Sequence, residues 1–387
     1  MKLLHTADLH LGKNLHEMPL LNDQKKILGD IIRILRNDRY AALLIAGDIY
    51  DRAIPPADAL SLLSWFLSEV RTACPDTAVF MIPGNHDSAQ RLAFAGTLLQ
   101  QQRIYIAENH DSFTVPTILS QDGEQAAVFM LPFLHYGAFP QSTEREKRGD
   151  SQADMARLAS DRLKAAVNPA MPSVLLAHLF TIGGKTASSE RTFIGTAEYV
   201  DPALFSYFTY TALGHLHRFQ KVSDRMYYAG SPLAYAFDEA DSQKYVLSIT
   251  IECNTPGFPL TVEPIPLEPE HKLCRLAGPF ADFLEGDAFK EHTDDFLEIT
   301  LTDKQVVTNP MQLLRSRFPL LLSIRQQGFM DFSPAAHEQA AVSSDTAGTP
   351  RTMIENFLTF EQRIGSTPDT PKQALFEKLC QEADYET

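Results

Sequence analysis

Five clusters of carboxylate, amide and imidazole side chains recur in the first 217 residues, each where a short apolar run ends. Asp8-x-His10 follows Leu3-Leu4-His5-Thr6, Gly47-Asp48-x-x-Asp51 follows Ala42-Leu43-Leu44-Ile45-Ala46, and Gly84-Asn85-His86-Asp87 follows Val79-Phe80-Met81-Ile82. His178 follows Val174-Leu175-Leu176-Ala177, and Gly214-His215-x-His217 completes the set. Short apolar runs bounded by turn residues read as buried strands, and α/β sheets place their ligands where such strands end. A lone Asp-x-His or a lone histidine is more often structural than functional. The five together, in this order, are a specific pattern.

Between the first three runs, Ile27, Ile31, Ile34 and Leu35, and then the stretch from Leu60 to Val70, carry apolar residues at helical spacing. This β-α-β-α-β rhythm predicts a mainly parallel sheet covered by helices. Val128-Phe129-Met130-Leu131 and Tyr245 to Ile251 read as strands of a second sheet packed on the first. The expected class is therefore α/β, a four-layer α/β/β/α sandwich over residues 1–268. The stretch Glu263-Pro264-Ile265-Pro266-Leu267-Glu268-Pro269 reads as punctuation, and residues 269–332 as a small α+β unit. Its order is strand, helix, strand (Phe296 to Thr302), helix (Met311 to Phe318) and strand (Leu320 to Arg325). Residues 333–350, rich in Ala, Ser, Thr and Gly, cannot bury enough surface to order and read as a linker. In residues 351–387, Met353, Ile354, Phe357, Leu358 and Ile364, then Leu375, Phe376 and Leu379, predict two short amphipathic helices.

With 44% hydrophobic and 21% charged residues, the 387-residue chain has a globular composition, which excludes disorder and fibrous classes for the bulk of it. Cys74, Cys253, Cys274 and Cys380 form no CxxC pair, so they indicate neither a zinc ribbon nor a disulfide framework and read as buried or idle thiols. The amino terminus has no apolar leader core, and no segment approaches the ~20 apolar residues of a membrane span. A cytoplasmic protein with no membrane partner is expected. The net charge of −15 means that any attraction of a polyanion must be local or supplied by a partner.

Carboxylate, imidazole and amide oxygen donors without thiolate suit manganese, iron or zinc, and two such ions ~3.5–4 Å apart can share one carboxylate. Asp48 is the candidate bridge. Asp8, His10 and His217 would complete the shell of one ion, and Asn85, His178 and His215 that of the other. His86, adjacent to Asn85 but free of the ions, is the candidate catalytic group that neutralises charge at phosphorus or protonates the leaving oxygen. Asp51 is the candidate acceptor that orients a ligating histidine. His5 reads as a packed core residue, and His16, His110, His135, His271, His292 and His337 as surface or satisfied polar groups. Asp87 reads as a cap of a helix starting near Ser88 rather than as a catalytic group. Gly47 and Gly84 read as residues that permit tight turns.

Together the five motifs resemble the calcineurin-like metallophosphoesterase superfamily. Within it, Leu4-His5-Thr6-Ala7-Asp8-Leu9-His10-Leu11-Gly12, Tyr227-Tyr228-Ala229-Gly230-Ser231-Pro232 and Ala236-Phe237-Asp238-Glu239 resemble the SbcD family of DNA nucleases. The unit after residue 270 is similar to that family's capping domain, and the tethered helices to its carboxyl-terminal segment. The resemblance implies two divalent ions, manganese first with iron or zinc as alternatives, on Asp8, His10, Asp48, Asn85, His178, His215 and His217, with His86 catalytic. It implies double-strand exonuclease and single-strand or hairpin endonuclease activity in DNA repair and recombination. It also implies an SbcC-type ATPase bound through residues 351–387, and a homodimer inside a heterotetramer. Residues 338–387 carry 4 Lys or Arg against 9 Asp or Glu, so this tail is not a DNA-binding arm.

Two rival readings follow from the same residues. A phosphatase of the superfamily shares Gly47-Asp48-x-x-Asp51-Arg52, but such enzymes carry Glu at the position of Asp87 and need no capping unit. A non-catalytic scaffold for an ATPase would be signalled by a lost ligand, and all seven ligand positions are filled.

Overall fold

The computed structural model describes residues 1–107, 112–135, 151–181, 184, 187–188 and 199–327; the predicted linker and the two predicted carboxyl-terminal helices lie outside the described residues. In chain order the strands are β1 (Lys2–Thr6), β2 (Asn14–Leu15), β3 (Met18–Pro19), β4 (Ala42–Ala46), β5 (Ala78–Ile82), β6 (Ile104–Ile106), β7 (Thr117–Gln121), β8 (Glu124–Leu131), β9 (Ser173–His178), β10 (Tyr210–Gly214), β11 (Gln220–Ser223), β12 (Met226–Tyr228), β13 (Lys244–Ile251), β14 (Leu260–Leu267), β15 (Leu273–Gly278), β16 (Phe296–Leu301) and β17 (Leu321–Gln326). The helices are α1 (Leu21–Asn37), α2 (Ala57–Ala73), α3 (Ala89–Leu92), α4 (Gly96–Gln101), α5 (Gln152–Ala166), α6 (Phe280–Leu284) and α7 (Pro310–Arg315). Contacts divide the chain between Lys272 and Leu273.

In the larger unit two six-stranded sheets face each other, in the orders β14-β13-β1-β4-β5-β6 and β11-β12-β10-β9-β8-β7. The continuous apolar strands have one face toward the partner sheet and the other under helices, which is why their hydrophobicity does not alternate. Leu3, Leu44 and Phe80 of the first sheet meet Val128, Val174, Leu176 and Ala212 of the second in one buried core. Their chain neighbours Phe129, Leu175, Ala177 and Leu213 turn to the opposite side, against Met155, Ala159 and Leu163 of α5. On the first sheet, Leu4, Leu43, Ile45, Val79 and Met81 are likewise fully buried, as are Ile27, Ile31 and Leu35 of α1 and Phe66 and Val70 of α2. Each such side chain contributes roughly 1.5–3 kcal/mol by leaving water. The result is the α/β/β/α layering expected from the sequence.

Two expectations are corrected. Tyr245 to Ile251 does not join the second sheet: β13 pairs antiparallel with β1 in the first. The proline-bearing stretch is no mere punctuation, because most of it is β14, paired antiparallel along the whole of β13. Proline lacks the N–H that an interior ladder needs, and β14 tolerates Pro264 and Pro266 because it is an edge strand.

The unit from Leu273 onward holds a parallel sheet in the order β15-β16-β17. Phe283, Leu297, Ile299, Leu301, Leu314, Phe318 and Leu321 form its separate buried core, in which α6 and α7 take part. Among the described residues, no helix is long and apolar enough to cross a membrane.

Candidate metal centre

β1, β4 and β5 run parallel in one sheet, and β9 and β10 run parallel in the other. Asp8 and His10 follow β1, Asp48 follows β4, Asn85 and His86 follow β5, His178 ends β9, and His215 and His217 follow β10. The ends of the two sheets meet almost backbone to backbone. A Cβ placed on Gly214 would lie 1.8 Å from the Ala46 carbonyl oxygen, and one on Gly47 would lie 2.2 Å from His178 Nδ1. Gly47 also holds φ at +94°, so the turn and the close approach both require glycine there. Gly84 differs from expectation. Its role is clearance rather than a turn, since a Cβ would lie 2.2 Å from Asp48 Oδ1.

The loops after β1 and β4 are laced together. Asp8 N–H donates to the Gly47 carbonyl at 3.0 Å, His10 N–H to the Asp48 carbonyl at 2.9 Å and Leu11 N–H to the Ile49 carbonyl at 2.9 Å. Gln24 of α1 fastens the first loop, donating from Nε2 to the His10 carbonyl at 2.7 Å and accepting from Gly12 N–H at 3.0 Å. Asp8, His10, Asp48 and His215 hold left-handed or positive φ values of 53°, 43°, 48° and 101°. Such backbone costs about 1–3 kcal/mol per residue and persists where the surroundings impose it.

All seven predicted ligands come together. His10 Nε2 and His217 Nε2 are 3.1 Å apart, and His10 Nε2 is 3.6 Å from Asp48 Oδ2. His178 Nε2 is 3.0 Å from Asn85 Oδ1 and 3.5 Å from Asp48 Oδ2. His215 Nδ1 is 3.1 Å from Asn85 Oδ1 and 3.3 Å from His178 Nε2. Donor atoms of Asp8, His10 and His217 lie within 4.8 Å of one another, as do those of Asp8, Asp48 and His178. Asp8, His10, Asp48, His178 and His217 are each at most 2% exposed.

Two divalent ions fit this arrangement. His178 Nδ1 faces the Ala46 carbonyl oxygen at 2.9 Å, so it carries the proton and the lone pair of Nε2 points into the cluster. His217 Nδ1 faces Glu239 Oε1 at 3.4 Å, which likewise leaves its Nε2 lone pair aimed at His10. His10 Nδ1, 3.7 Å from Asp51 Oδ1, makes no hydrogen bond. Donors that bind one ion at ~2.1 Å and near right angles lie ~3.0 Å apart, which is the spacing seen here.

The protonation states agree. Burial holds His10 well below the usual imidazole range, despite Asp48 beside it. Burial, with His178 adjacent, pushes His215 down to about 3. These rings are neutral, the form that binds a metal. Burial would also lower His178, but the Asp48 and Asp8 carboxylates and the Ala46 carbonyl outweigh it and raise the group to about 9. Asp48, raised by burial but surrounded by His178, His10 and His86, ends well below the usual carboxylate range. In the ion-free cluster His178 is therefore the proton holder.

His86 is buried beside Asp48. Its N–H donates to Asp48 Oδ1 at 2.9 Å, its Nδ1 faces the Asp51 carbonyl oxygen at 2.8 Å, and its Nε2 is 4.0 Å from Asp48 Oδ2. His10, Asp48 and His86 also lie close enough for the three to hold an ion, a grouping the sequence did not suggest. The Asp51 carboxylate accepts from Lys13 Nζ at 2.8 Å, so it is the main-chain carbonyl of Asp51, more than its side chain, that orients a histidine. His5 is buried with Nδ1 2.9 Å from the Tyr210 hydroxyl, outside the cluster.

Asp87 is not a helix cap. Ser88 precedes α3 with no side-chain cap bond, and Asp87 accepts from Ile49 N–H, Tyr50 N–H and Gly84 N–H, each at 2.9 Å. It ties the loop carrying Asp48 to the loop carrying Asn85. Burial, with Asp48 nearby, raises its carboxyl to about 7 against the opposing pull of those three N–H groups.

Glu239 is the important residue that the sequence reading left without a role. It is fully buried, bonded through Oε1 to His217 and through Oε2 to Lys244 Nζ at 2.5 Å. Lys244 Nζ also donates to the His217 carbonyl at 2.8 Å. Burial would raise Glu239, but His217 and Lys244 bring it down to about 2, so it stays ionised and fixes the His217 ring. The motif Ala236-Phe237-Asp238-Glu239 contains it, but nothing in the motif tells Asp238 from Glu239.

Comparison with known proteins agrees with this geometry. Residues 1–219 match the calcineurin-like phosphoesterase family, and residues 269–362 match the type 5 capsule protein repressor C-terminal domain family, SbcD_C. The SbcD subunit of the nuclease SbcCD from Staphylococcus epidermidis is 30% identical over 359 residues, 92% of this chain and 92% of that protein. The solved structure of TT1561 from Thermus thermophilus aligns at 13% identity over 68% of this chain and 98% of its own, with a TM-score of 0.37. The chain therefore belongs to the calcineurin-like phosphoesterase family and, within it, to the family of SbcD subunits of the SbcCD nuclease.

Proposed function

We propose that the chain is a two-metal DNA nuclease that cuts duplex ends exonucleolytically and single strands or hairpins endonucleolytically, working with an SbcC-type ATPase. The observation that carries this reading is the convergence of seven nitrogen and oxygen ligands at the joined ends of two sheets. The relationship to the SbcD subunit of the SbcCD nuclease supports DNA as the substrate and an ATPase as the partner. In this reading Asp48 spans both ions, Asp8, His10 and His217 hold one, and Asn85, His178 and His215 hold the other. When bound, two divalent ions of this kind supply a nucleophile near neutral pH and neutralise charge on the phosphodiester oxygens. Manganese fits the donor set best, and iron or zinc are alternatives.

The remaining steps belong to the protein. His86 Nδ1–H donates to the Asp51 carbonyl, which turns Nε2 toward Asp48. A proton held at Nε2 is then available to the departing oxygen. Glu239 and the Ala46 carbonyl keep His217 and His178 in the tautomers that present Nε2. Residues 351–387 bind the ATPase through their apolar faces, residues 269–332 contact DNA, and the working form is a homodimer within a heterotetramer.

The test is cleavage of a linear duplex and of a hairpin by the purified chain with manganese or EDTA, with and without the ATPase and ATP. Metal-dependent cutting that the partner extends to duplex or blocked ends is expected. Failure to cut DNA together with rapid hydrolysis of a phosphomonoester would make the chain a phosphatase and overturn the proposal.

A further inference from the structure

A second convergence of donors lies in the unit from Leu273 onward. Cys274 is in β15, His292 ends the short turn Lys290–His292, and Asp295 immediately precedes β16. β15 and β16 start side by side, with Leu273 opposite Phe296 and Cys274 opposite Leu297. This register brings a residue of the first strand onto the turn that leads into the second. His292 Nδ1 is 2.8 Å from Asp295 Oδ2, and Cys274 Sγ donates to the same oxygen at 3.4 Å. One donor atom from each residue lies within 4.8 Å of the other two, and all three residues are half-buried.

We infer that Cys274, His292 and Asp295 form a binding site for a thiophilic divalent ion, of which zinc is the type. The donor set is one thiol, one imidazole and one carboxylate. Three protein ligands of these kinds, with a further position open to water, make a tetrahedral zinc shell. A thiolate selects zinc or cobalt against manganese and magnesium, which prefer oxygen. In the ion-free arrangement one carboxylate oxygen receives hydrogen bonds from both the thiol and the imidazole. An ion bound among the three atoms takes the place of those two hydrogens. The thiol proton leaves to solvent, and the imidazole proton resides on Nε2. Glu291 Oε1 lies 3.7 Å from His292 Nε2, on the side of the ring away from Asp295, where it stabilises that tautomer.

The ligands come from separated stretches, so the ion would clip strand β15 to the turn before β16. The His292 and Asp295 side chains keep 25% and 17% of their surface exposed, enough for an ion to enter and for water to fill the open position. None of this depends on the reading of the nuclease centre.

Cobalt(II) titration of the full chain is the test, because a thiolate bound to cobalt gives a near-ultraviolet charge-transfer band and the main centre contains no thiolate. One band-forming equivalent per chain is expected, displaced by zinc and lost in Cys274→Ser. A chain with Cys74, Cys253 and Cys380 all replaced by serine keeps only Cys274 and is expected to retain the band, which covers the case in which Cys274→Ser fails to fold. Asp295→Asn is expected to weaken cobalt binding at least tenfold. Absence of the band from the wild-type chain, its persistence in Cys274→Ser, or its loss from the triple variant would each overturn the site.

Discussion

The two donor clusters stand in opposite relations to the fold around them. The main cluster is assembled from five strand ends in two sheets, four of its residues hold positive φ, and its ligands are nearly all buried. The cluster of Cys274, His292 and Asp295 lies within one small unit, in which Asn309 is the sole non-glycine residue with positive φ among the described residues. Its members are half-buried and are held by hydrogen bonds to one another. The first is imposed by packing that stays in place with or without an ion, so changing one residue disturbs everything converging there. The second is a local arrangement that the surrounding core does not need, so its loss should be confined to it.

Asp48→Ala tests the first half of that contrast most severely. It removes the carboxylate that His10, His86 and His178 all approach within 4.0 Å, and leaves their rings without a shared counter-charge. Hydrolysis of bis-p-nitrophenyl phosphate with manganese should fall by at least ~10³-fold, and metal analysis should show fewer bound ions. Retention of both ions would remove Asp48 from the bridge.

His86→Ala separates chemistry from assembly. Its ring adds a proton donor rather than a required ligand, so the expected loss in turnover is ~10²–10⁴-fold with metal content unchanged. A fall in bound metal would instead assign His86 to the group it can form with His10 and Asp48.

Glu239→Gln probes the residue that positions His217. The amide keeps the shape but loses the charge that faces His217 and Lys244, so manganese affinity should fall ~10–100-fold. Saturating manganese should restore most of the turnover. A loss that manganese cannot restore would mean that Glu239 acts other than through His217.

What could be read from the residues beforehand divides along the same line. The strand-end motifs were legible because each is local: an apolar run, a break and a donor. Their seven ligands do come together, and the layer order follows from strand and helix periodicity. Features fixed by pairing between distant segments were not legible. Apolar periodicity is the same in either sheet, so it could not assign β13 to the first sheet. The prolines of β14 looked like breaks because their edge position is a property of the sheet. Asp87 has the sequence context of a cap, yet its partners Ile49 and Tyr50 lie on another loop. Cys274 and His292 looked idle for the same reason, since only the parallel register of β15 and β16 brings them to Asp295.

Cys274→Ser should have the smallest effect on catalysis and the most localised effect on structure. Hydrolysis of bis-p-nitrophenyl phosphate should stay within about twofold of wild type, because no residue of the main centre belongs to this unit. Zinc at ~100 times its dissociation constant would stabilise the form that binds it by roughly 2.7 kcal/mol. Local opening reports such a term segment by segment, so hydrogen exchange is the right measurement. Zinc should slow exchange of the amides in Leu273–Gly278 and Phe296–Leu301 of the wild-type chain by up to ~10²-fold, the same term written as a rate. In Cys274→Ser zinc should leave those rates unchanged. Amides of Lys2–Thr6 and Ala42–Ala46 should be indifferent to the substitution in both cases. Equal zinc protection in the two chains, or protection that spreads to the first sheet, would show that the two clusters are not independent.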